Sequence, residues 1–230
     1  MILTPSNFAG VYRLDPWGSN TGYVANIAVN NDFSYAYGNQ PEPSALYDVI
    51  YGVGSFPLTS TGTTTLSGQP SFSGRIVGAN GYEQLEILCE VCVSNGSNAT
   101  TVGVTYTNEA GVSGQTSGVM SMGSTGATIG SCQRLNLQAG DKGVQQINSV
   151  IIGGTASTAG SVNILVARRL ATWARGSNSL PTVCRKKLVM NHEILCMPQI
   201  FQNSCLCVSN GAHLASQTSI YSAVVTIVNG

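Results

Sequence analysis

The sequence predicts an all-β protein, an antiparallel β-sandwich resembling a jelly roll. Three observations predict it: short runs of alternating apolar residues, Gly-, Ser- and Thr-rich turns between them, and few helix signals in 230 residues with 27 glycines. Glycine in a helix interior costs about 1 kcal/mol relative to alanine, so such a composition disfavours long helices. Many short strands joined by such turns are typical of sandwiches and jelly rolls.

The clearest strand signal is the period-two alternation in Glu83–Val93 (EQLEILCEVCV). Successive side chains of a strand point to opposite faces of its sheet. One face is predicted to carry the apolar residues Leu85, Ile87, Cys89 and Val91. The other face is predicted to carry Gln84, Glu86, Leu88, Glu90 and Cys92. Gly22–Val29 alternates in a similar way and predicts another strand.

A β-hairpin is predicted where two apolar runs flank a short polar turn. Val102–Tyr106 precedes the turn Asn108-Glu109-Ala110-Gly111, and Val112–Met122 follows it. Loops of this length that contain glycine commonly join antiparallel strands.

Two further strand pairs are predicted from apolar runs that follow one another in the sequence. They are Gln145–Ile152 with Ser161–Arg169, and Ser204–Val208 with Ser219–Val228. The last run is rich in β-branched residues, which favour strands. Only Leu170–Arg175 and Leu188–Leu195 indicate helix, about one turn each.

Residues 1–75 differ from the rest of the chain, which predicts a boundary between this region and a sandwich domain at 76–230. Aromatic residues and prolines are concentrated there, and apolar alternation is patchy. We interpret the region as an extended arm that lies on another protein. The alternative is an irregular first half of the same sandwich. Aromatic residues are enriched at interfaces, and the candidate contacts in the arm are Tyr12, Trp17, Tyr35 and Tyr37.

Charged residues make up only 9% of the chain, and the formal net charge is zero. About a quarter of the residues in a typical soluble domain are charged. A surface with so little charge is expected where other subunits cover it, which favours a component of a large assembly. No apolar run is long enough to span a membrane as a helix.

The N-terminal sequence MILTP has neither a basic segment nor an apolar one, so we expect no secretory signal. The seven cysteines are accordingly expected to be reduced and buried. Cys89 and Cys92 have C-x-x-C spacing, but on a strand their thiols would diverge. Cys205 and Cys207 share a face, and a metal site with His192 and His213 is the weaker alternative.

No catalytic constellation is recognisable, and we expect neither an enzyme nor a cofactor. The two histidines lie in no known motif, and the Ser-Gly pairs are turns and not a nucleophile elbow. Glu86 and Glu90 would share one strand face, where a solvated surface explains them better than a pair of catalytic acids. The segment Gly140-Asp141-Lys142-Gly143 is a turn and not a phosphate-binding loop.

Six of the ten basic residues follow one another in the sequence with no acidic residue between them. They are Arg168, Arg169, Arg175, Arg185, Lys186 and Lys187. We expect them to meet an acidic protein surface. Nucleic acid is a less favoured partner because Trp173 is the one aromatic residue interleaved with them. A solvated sheet edge that discourages strand pairing is the further alternative.

Three segments resemble tailed-bacteriophage virion structural proteins. They are GYEQLEI from residue 81, the hairpin VTYTNEAGVSGQT from residue 104, and the turn LQAGDKGV from residue 137, which INSV and LVARRLA follow. The resemblance covers roughly residues 81–171. It implies a non-enzymatic component of the virion, made in the host cytoplasm.

Two positions in such a particle fit the resemblance. A capsid decoration (cement) protein would bind the major capsid protein, stabilise the head shell, and form a dimer or trimer. A tail or baseplate component would bind another virion protein or a host surface glycan. A hydrolase acting on cell-wall glycan would need two carboxyl groups with separated pKa values, and the sequence offers no convincing pair.

Overall fold

The computed structural model describes residues 21–32, 43–122, 129–174, 199–201, 203–210 and 220–229. In this part of the chain thirteen strands form, together with two short 3₁₀ helices at Ser73–Arg75 and Gly81–Gln84. The strands are β1 Thr21–Asp32, β2 Pro43–Pro57, β3 Gly62–Thr65, β4 Leu85–Val93, β5 Thr100–Asn108, β6 Gln115–Thr116, β7 Met120–Ser121, β8 Cys132–Leu135, β9 Val144–Gly154, β10 Ser161–Ala174, β11 Gln199–Phe201, β12 Leu206–Asn210 and β13 Ile220–Asn229. The prediction of an all-β protein is confirmed.

The strands form three antiparallel sheets. Sheet I has the order β12-β2-β10-β4-β8, and sheet II has the order β3-β9-β5-β6, with β7 also paired to β5. Sheet III has the order β11-β1-β13. Between residues 43 and 174, successive strands pass from one sheet to the other, except that β6 and β7 stay beside β5.

Sheets I and II enclose the main hydrophobic core. Ile87 of β4 and Ile164 of β10 pack in one cluster with Val104 of β5 and Val150 of β9, and all four side chains are fully buried. Side chains from two sheets that fill one interior define a β-sandwich. The predicted apolar face of β4 lies in this core, since Leu85, Cys89 and Val91 belong to the same cluster.

A second apolar cluster lies on the opposite face of sheet I. Its buried members alternate along the strands with residues of the main core and are Ala45, Tyr47, Val49, Leu88, Leu165, Ala167 and Cys205. Sheet I is therefore buried on both faces at its centre, which explains the uninterrupted apolar run Ile164–Ala167 of β10.

The predicted hairpin after residue 102 is confirmed. Its returning strand is divided into β6 and β7, both antiparallel to β5.

The other two predicted pairings are wrong, although all four runs contain strands. β9 pairs with β3 and β5 in sheet II, whereas β10 pairs with β2 and β4 in sheet I. β12 pairs with β2, and β13 pairs with β1. The alternation in a strand determines which side chains share a face, but it carries no information about the neighbouring strand.

The prediction that residues 1–75 form an arm is wrong for residues 43–75. β2 lies inside sheet I, hydrogen-bonded to β10 on one edge and to β12 on the other. The aromatic side chains of this stretch are core residues: Tyr47, Tyr51, Phe56 and Phe72 are buried. Residues 1–20 and 33–42 lie outside the described residues.

The helical turn predicted at Leu170–Arg175 is also wrong, because β10 continues to Ala174. Its pairing with β2 extends to Ala174 opposite Pro43, so the long partner strand overrides the weak local helix signal. The other predicted turn, Leu188–Leu195, lies outside the described residues.

Replacing Ile164 with alanine should lower the free energy of unfolding by about 2–5 kcal/mol, because it leaves a cavity between the two sheets. Ile164 is 0% exposed, whereas Ile129 is 64% exposed. The matched control Ile129→Ala should change stability by no more than about 0.5 kcal/mol. Urea denaturation of both variants tests the position of the core, and equal losses would contradict it.

Candidate functional site: a buried ion cluster and two interlocked loops

The structure describes two of the ten residues predicted to bind a partner, Arg168 and Arg169 of β10. The other eight lie outside the described residues: Tyr12, Trp17, Tyr35, Tyr37, Arg175, Arg185, Lys186 and Lys187. Arg168 and Arg169 are neighbours on a strand, so their side chains point to opposite faces of sheet I.

Arg168 is buried, with 3% of its surface exposed. Its guanidinium donates to the Asp48 carboxylate at 3.4 Å and to the carbonyl oxygen of Gln199. It also lies over the ring of Phe201, at 5.7 Å from the ring centroid. The expectation that Arg168 belongs to a surface patch is therefore wrong, because β2 places a carboxylate directly opposite it in the register.

Asp48 is the centre of what we call the Asp48 cluster, which comprises Asp48, Arg75, Arg168 and Ser204. The carboxylate is fully buried and accepts from Arg75 at 2.5 Å, from the Ser204 hydroxyl at 2.8 Å and from the backbone N–H of Cys205 at 2.9 Å. The cluster contains two guanidiniums and one carboxylate. Removing one partner of such a buried group leaves a charge without its counter-ion, which is strongly destabilising.

The charge balance of the cluster depends on Asp48. Burial lowers the pKa of Arg168, and the neighbouring Asp48 carboxylate acts in the opposite direction. The carboxylate thus keeps a cation stable in an apolar interior. It also joins four parts of the chain: β2, β10, the 3₁₀ helix at Ser73–Arg75 and the segment that connects β11 to β12.

Sequence reasoning missed Asp48, although the sequence contains a signal for it. Asp48 is the one charged residue of the run Ala45–Val53 (ALYDVIYGV). A lone acid in an apolar strand is almost never fully buried unless it is paired. That rule predicts that the Asp48 carboxylate is paired, but it does not identify the partners. These are Arg75 and Arg168, which lie 27 and 120 residues away in the sequence.

Arg169 lies on the other face of sheet I and is ion-paired. Its guanidinium contacts Glu86 of β4, which also lies 3.5 Å from Arg134 of β8 and accepts from the Tyr47 hydroxyl at 3.4 Å. Burial raises the pKa of Tyr47, and Glu86 adds to the effect. The two described members of the basic series are thus both paired with carboxylates from other strands.

The second feature is a pair of interlocked loops at one end of the sandwich: residues 106–112, which include the end of β5, and residues 137–145, which include the start of β9. The Tyr106 hydroxyl donates to Asp141 at 2.6 Å and accepts from the backbone N–H of Gln138 at 2.8 Å. The side-chain amide of Asn108 donates to the other Asp141 oxygen at 2.8 Å. Burial, followed by the Asp141 hydrogen bond, raises the pKa of Tyr106 to about 12.

Glu109 completes the junction between the two loops. Its carboxylate accepts from the backbone N–H groups of Lys142 and Gly143, each at 3.1 Å, and its carbonyl oxygen accepts from the Gln145 side chain at 2.7 Å. Gly143 also packs against the backbone of Tyr82. The three segments that begin at residues 81, 104 and 137 therefore meet at one place.

The cysteines of the described segments are distributed over both faces of sheet I. Cys89 lies in the main core, where burial raises its pKa to about 12. Cys92 points the other way, and its sulfur lies 3.0 Å from the Ser161 hydroxyl oxygen, as expected for divergent thiols. All five cysteines of the described segments are free thiols, and those segments contain no group of three or more potential metal ligands. His192 and His213 lie outside them.

No protein-family model, no curated protein and no solved structure matches this chain. Within the described ranges, no helix is long and apolar enough to cross a membrane.

Replacing Asp48 with asparagine should lower the free energy of unfolding by about 3–5 kcal/mol, because two buried guanidiniums lose their counter-ion. The matched control Glu86→Gln makes the same chemical change in a partly exposed ion pair. It should cost no more than about 1 kcal/mol. Thermal and urea unfolding measure both, and a small effect of Asp48→Asn would contradict the buried cluster.

Replacing Gly143 with alanine should lower the free energy of unfolding by about 1–3 kcal/mol, because the new methyl group would overlap the Tyr82 carbonyl oxygen. Gly118 is the control, since a Cβ there would lie 3.5 Å from Asn136, an ordinary contact. Gly118→Ala should stay within about 1 kcal/mol of wild type. Urea denaturation distinguishes the two, and a neutral Gly143→Ala would show that Gly143 is not packed against the 3₁₀ helix Gly81–Gln84.

Proposed function

We propose that this chain is a non-enzymatic structural protein of a bacteriophage particle, a capsid decoration protein that binds and stabilises the head shell. The observation that carries the proposal is the order of the strands between residues 43 and 174. If β6 and β7 are counted as one element, this stretch contains eight elements, numbered one to eight in chain order. Sheet I contains β2-β10-β4-β8 as neighbours, which are elements 1, 8, 3 and 6. Sheet II contains β3-β9-β5-β6, which are elements 2, 7, 4 and 5.

This order supports a jelly roll as the finer description of the sandwich. A jelly roll consists of eight strands in two facing sheets that arise from two Greek keys. Viral capsid domains are among the proteins that use this architecture. The fold alone does not define a function, so the proposal also depends on particular residues.

The interlocked loops support the assignment to phage virion proteins. The residues that carry that resemblance include Tyr106, Asn108, Asp141 and Gly143, which contact one another or the adjacent loop. Their role is to hold the loops of one end of the sandwich in a fixed arrangement. A pattern with a structural role of this kind is what a non-enzymatic particle subunit requires.

The contacts with the shell are assigned to segments outside the described residues. The aromatic residues Tyr12, Trp17, Tyr35 and Tyr37 are the proposed anchors on the major capsid protein, and Arg175, Arg185, Lys186 and Lys187 are proposed to meet acidic groups on it. The low charge of the chain supports extensive coverage by other subunits, including further copies of itself. Since β2 belongs to the sandwich, the proposed contacts of the N-terminal region are limited to residues 1–20 and 33–42.

Lectin domains also adopt jelly rolls, which favours a second candidate. In that candidate the chain belongs to the tail or baseplate and binds a host surface glycan or another virion protein. The location of the protein on the particle separates the two candidates.

Cryo-electron microscopy of particles that carry this chain should show its density repeated over the head lattice. Removal of residues 1–20 should abolish decoration, and circular dichroism should show that the purified truncated chain still folds as a β protein. The full-length chain added back to the same undecorated heads is the control. Density confined to the tail would overturn the head assignment, and normal decoration by the truncated chain would overturn the arm.

A further inference from the structure

The edges of the three sheets differ in length. A sheet edge presents unpaired backbone N–H and C=O groups, and proteins usually protect it by keeping edge strands short or charged. In the described part of the chain the edge strands β3, β6, β7, β8, β11 and β12 have at most five residues. β13 has ten residues and also lies at an edge.

The sequence of β13 lacks the usual protection. Ile220–Asn229 (IYSAVVTIVN) contains no charged residue and no proline, and six of its ten residues are valine, isoleucine or threonine. Such residues favour strands.

Among the described residues, β13 pairs along one edge only, with β1, from Asn229 opposite Gly22 to Ile220 opposite Asp32.

We propose that β13 pairs antiparallel with β13 of a second copy of this chain. The pairing would join two copies of sheet III into one continuous sheet with the order β11-β1-β13-β13-β1-β11. A two-fold axis generates this arrangement, because each copy presents the same strand to the other. The inference deepens the proposed function, on which its meaning for the particle rests.

A second copy fits this edge better than a charged partner does. In an antiparallel pair of identical strands about a two-fold axis, the residues near the axis face their own copies, so a charge at the middle of the strand would repel its counterpart. β13 carries none. The opposite edge of the sheet is less suitable, because β11 already pairs with Thr21–Tyr23 and β1 ends in Asp32.

Backbone amide exchange of the purified full-length chain tests the pairing directly. Along a strand, successive N–H groups point to opposite edges, so an unpaired edge leaves every second amide open to solvent. At high protein concentration we expect consecutive slow amides from residue 221 to residue 228, and the mass in solution should be twice that of one chain. On dilution, every second amide should lose its protection as monomers form. A monomer at all concentrations would overturn the proposal.

Two adjacent proline variants, Val224→Pro and Val225→Pro, identify the edge involved. One of the two removes an N–H group that points away from β1, and the other removes one that points toward it. The variant that removes the N–H group pointing away from β1 should give a folded monomer with an unchanged circular dichroism spectrum. If both variants fold and remain dimeric, the proposal is wrong. The assay contains no phage particles, so a failure here is distinguishable from a failure of the head assignment.

Discussion

The carboxylate of Asp48 is the constraint on which the described structure depends most. It is buried in the central part of sheet I and accepts hydrogen bonds from two arginines, a serine and a backbone N–H group. Through these contacts it fixes the chain between β11 and β12 against β2 and β10. Sheet III thereby gains a fixed attachment to the sandwich, since Gln199 of β11 accepts from the same Arg168.

The Asp48 cluster and the interlocked loops are two separate polar networks that stabilise different parts of the structure. The Asp48 cluster attaches the C-terminal strands to the sandwich, whereas Tyr106, Asn108, Glu109 and Asp141 hold two loops together at one end of it. Both are networks in which the buried oxygens are satisfied by side chains and backbone groups. Rigid networks of this kind suit a protein that must present a constant surface to many neighbouring subunits.

The sequence was a good guide to local structure and a poor one to partners. The alternation in β4 predicted which residues enter the core, and the Asn108–Gly111 turn predicted the first hairpin, because both patterns are local. The pairings of β9, β10, β12 and β13 were not predictable, since strands that are adjacent in sequence lie in different sheets. The candidate site was harder still. Arg168 and Arg169 look alike in the sequence, but they lie on opposite faces of sheet I, where Arg168 meets the buried Asp48 and Arg169 meets the partly exposed Glu86.

Hydrogen exchange measured by mass spectrometry on the wild-type chain and on the Asp48→Asn variant tests the central claim most directly. If the Asp48 carboxylate holds the C-terminal strands on the sandwich, peptides spanning residues 199–206 should be as protected as β2 in the wild type. They should lose protection in the variant, and β5 and β9 should remain slow. Rapid exchange of residues 199–206 in the wild type would contradict the account.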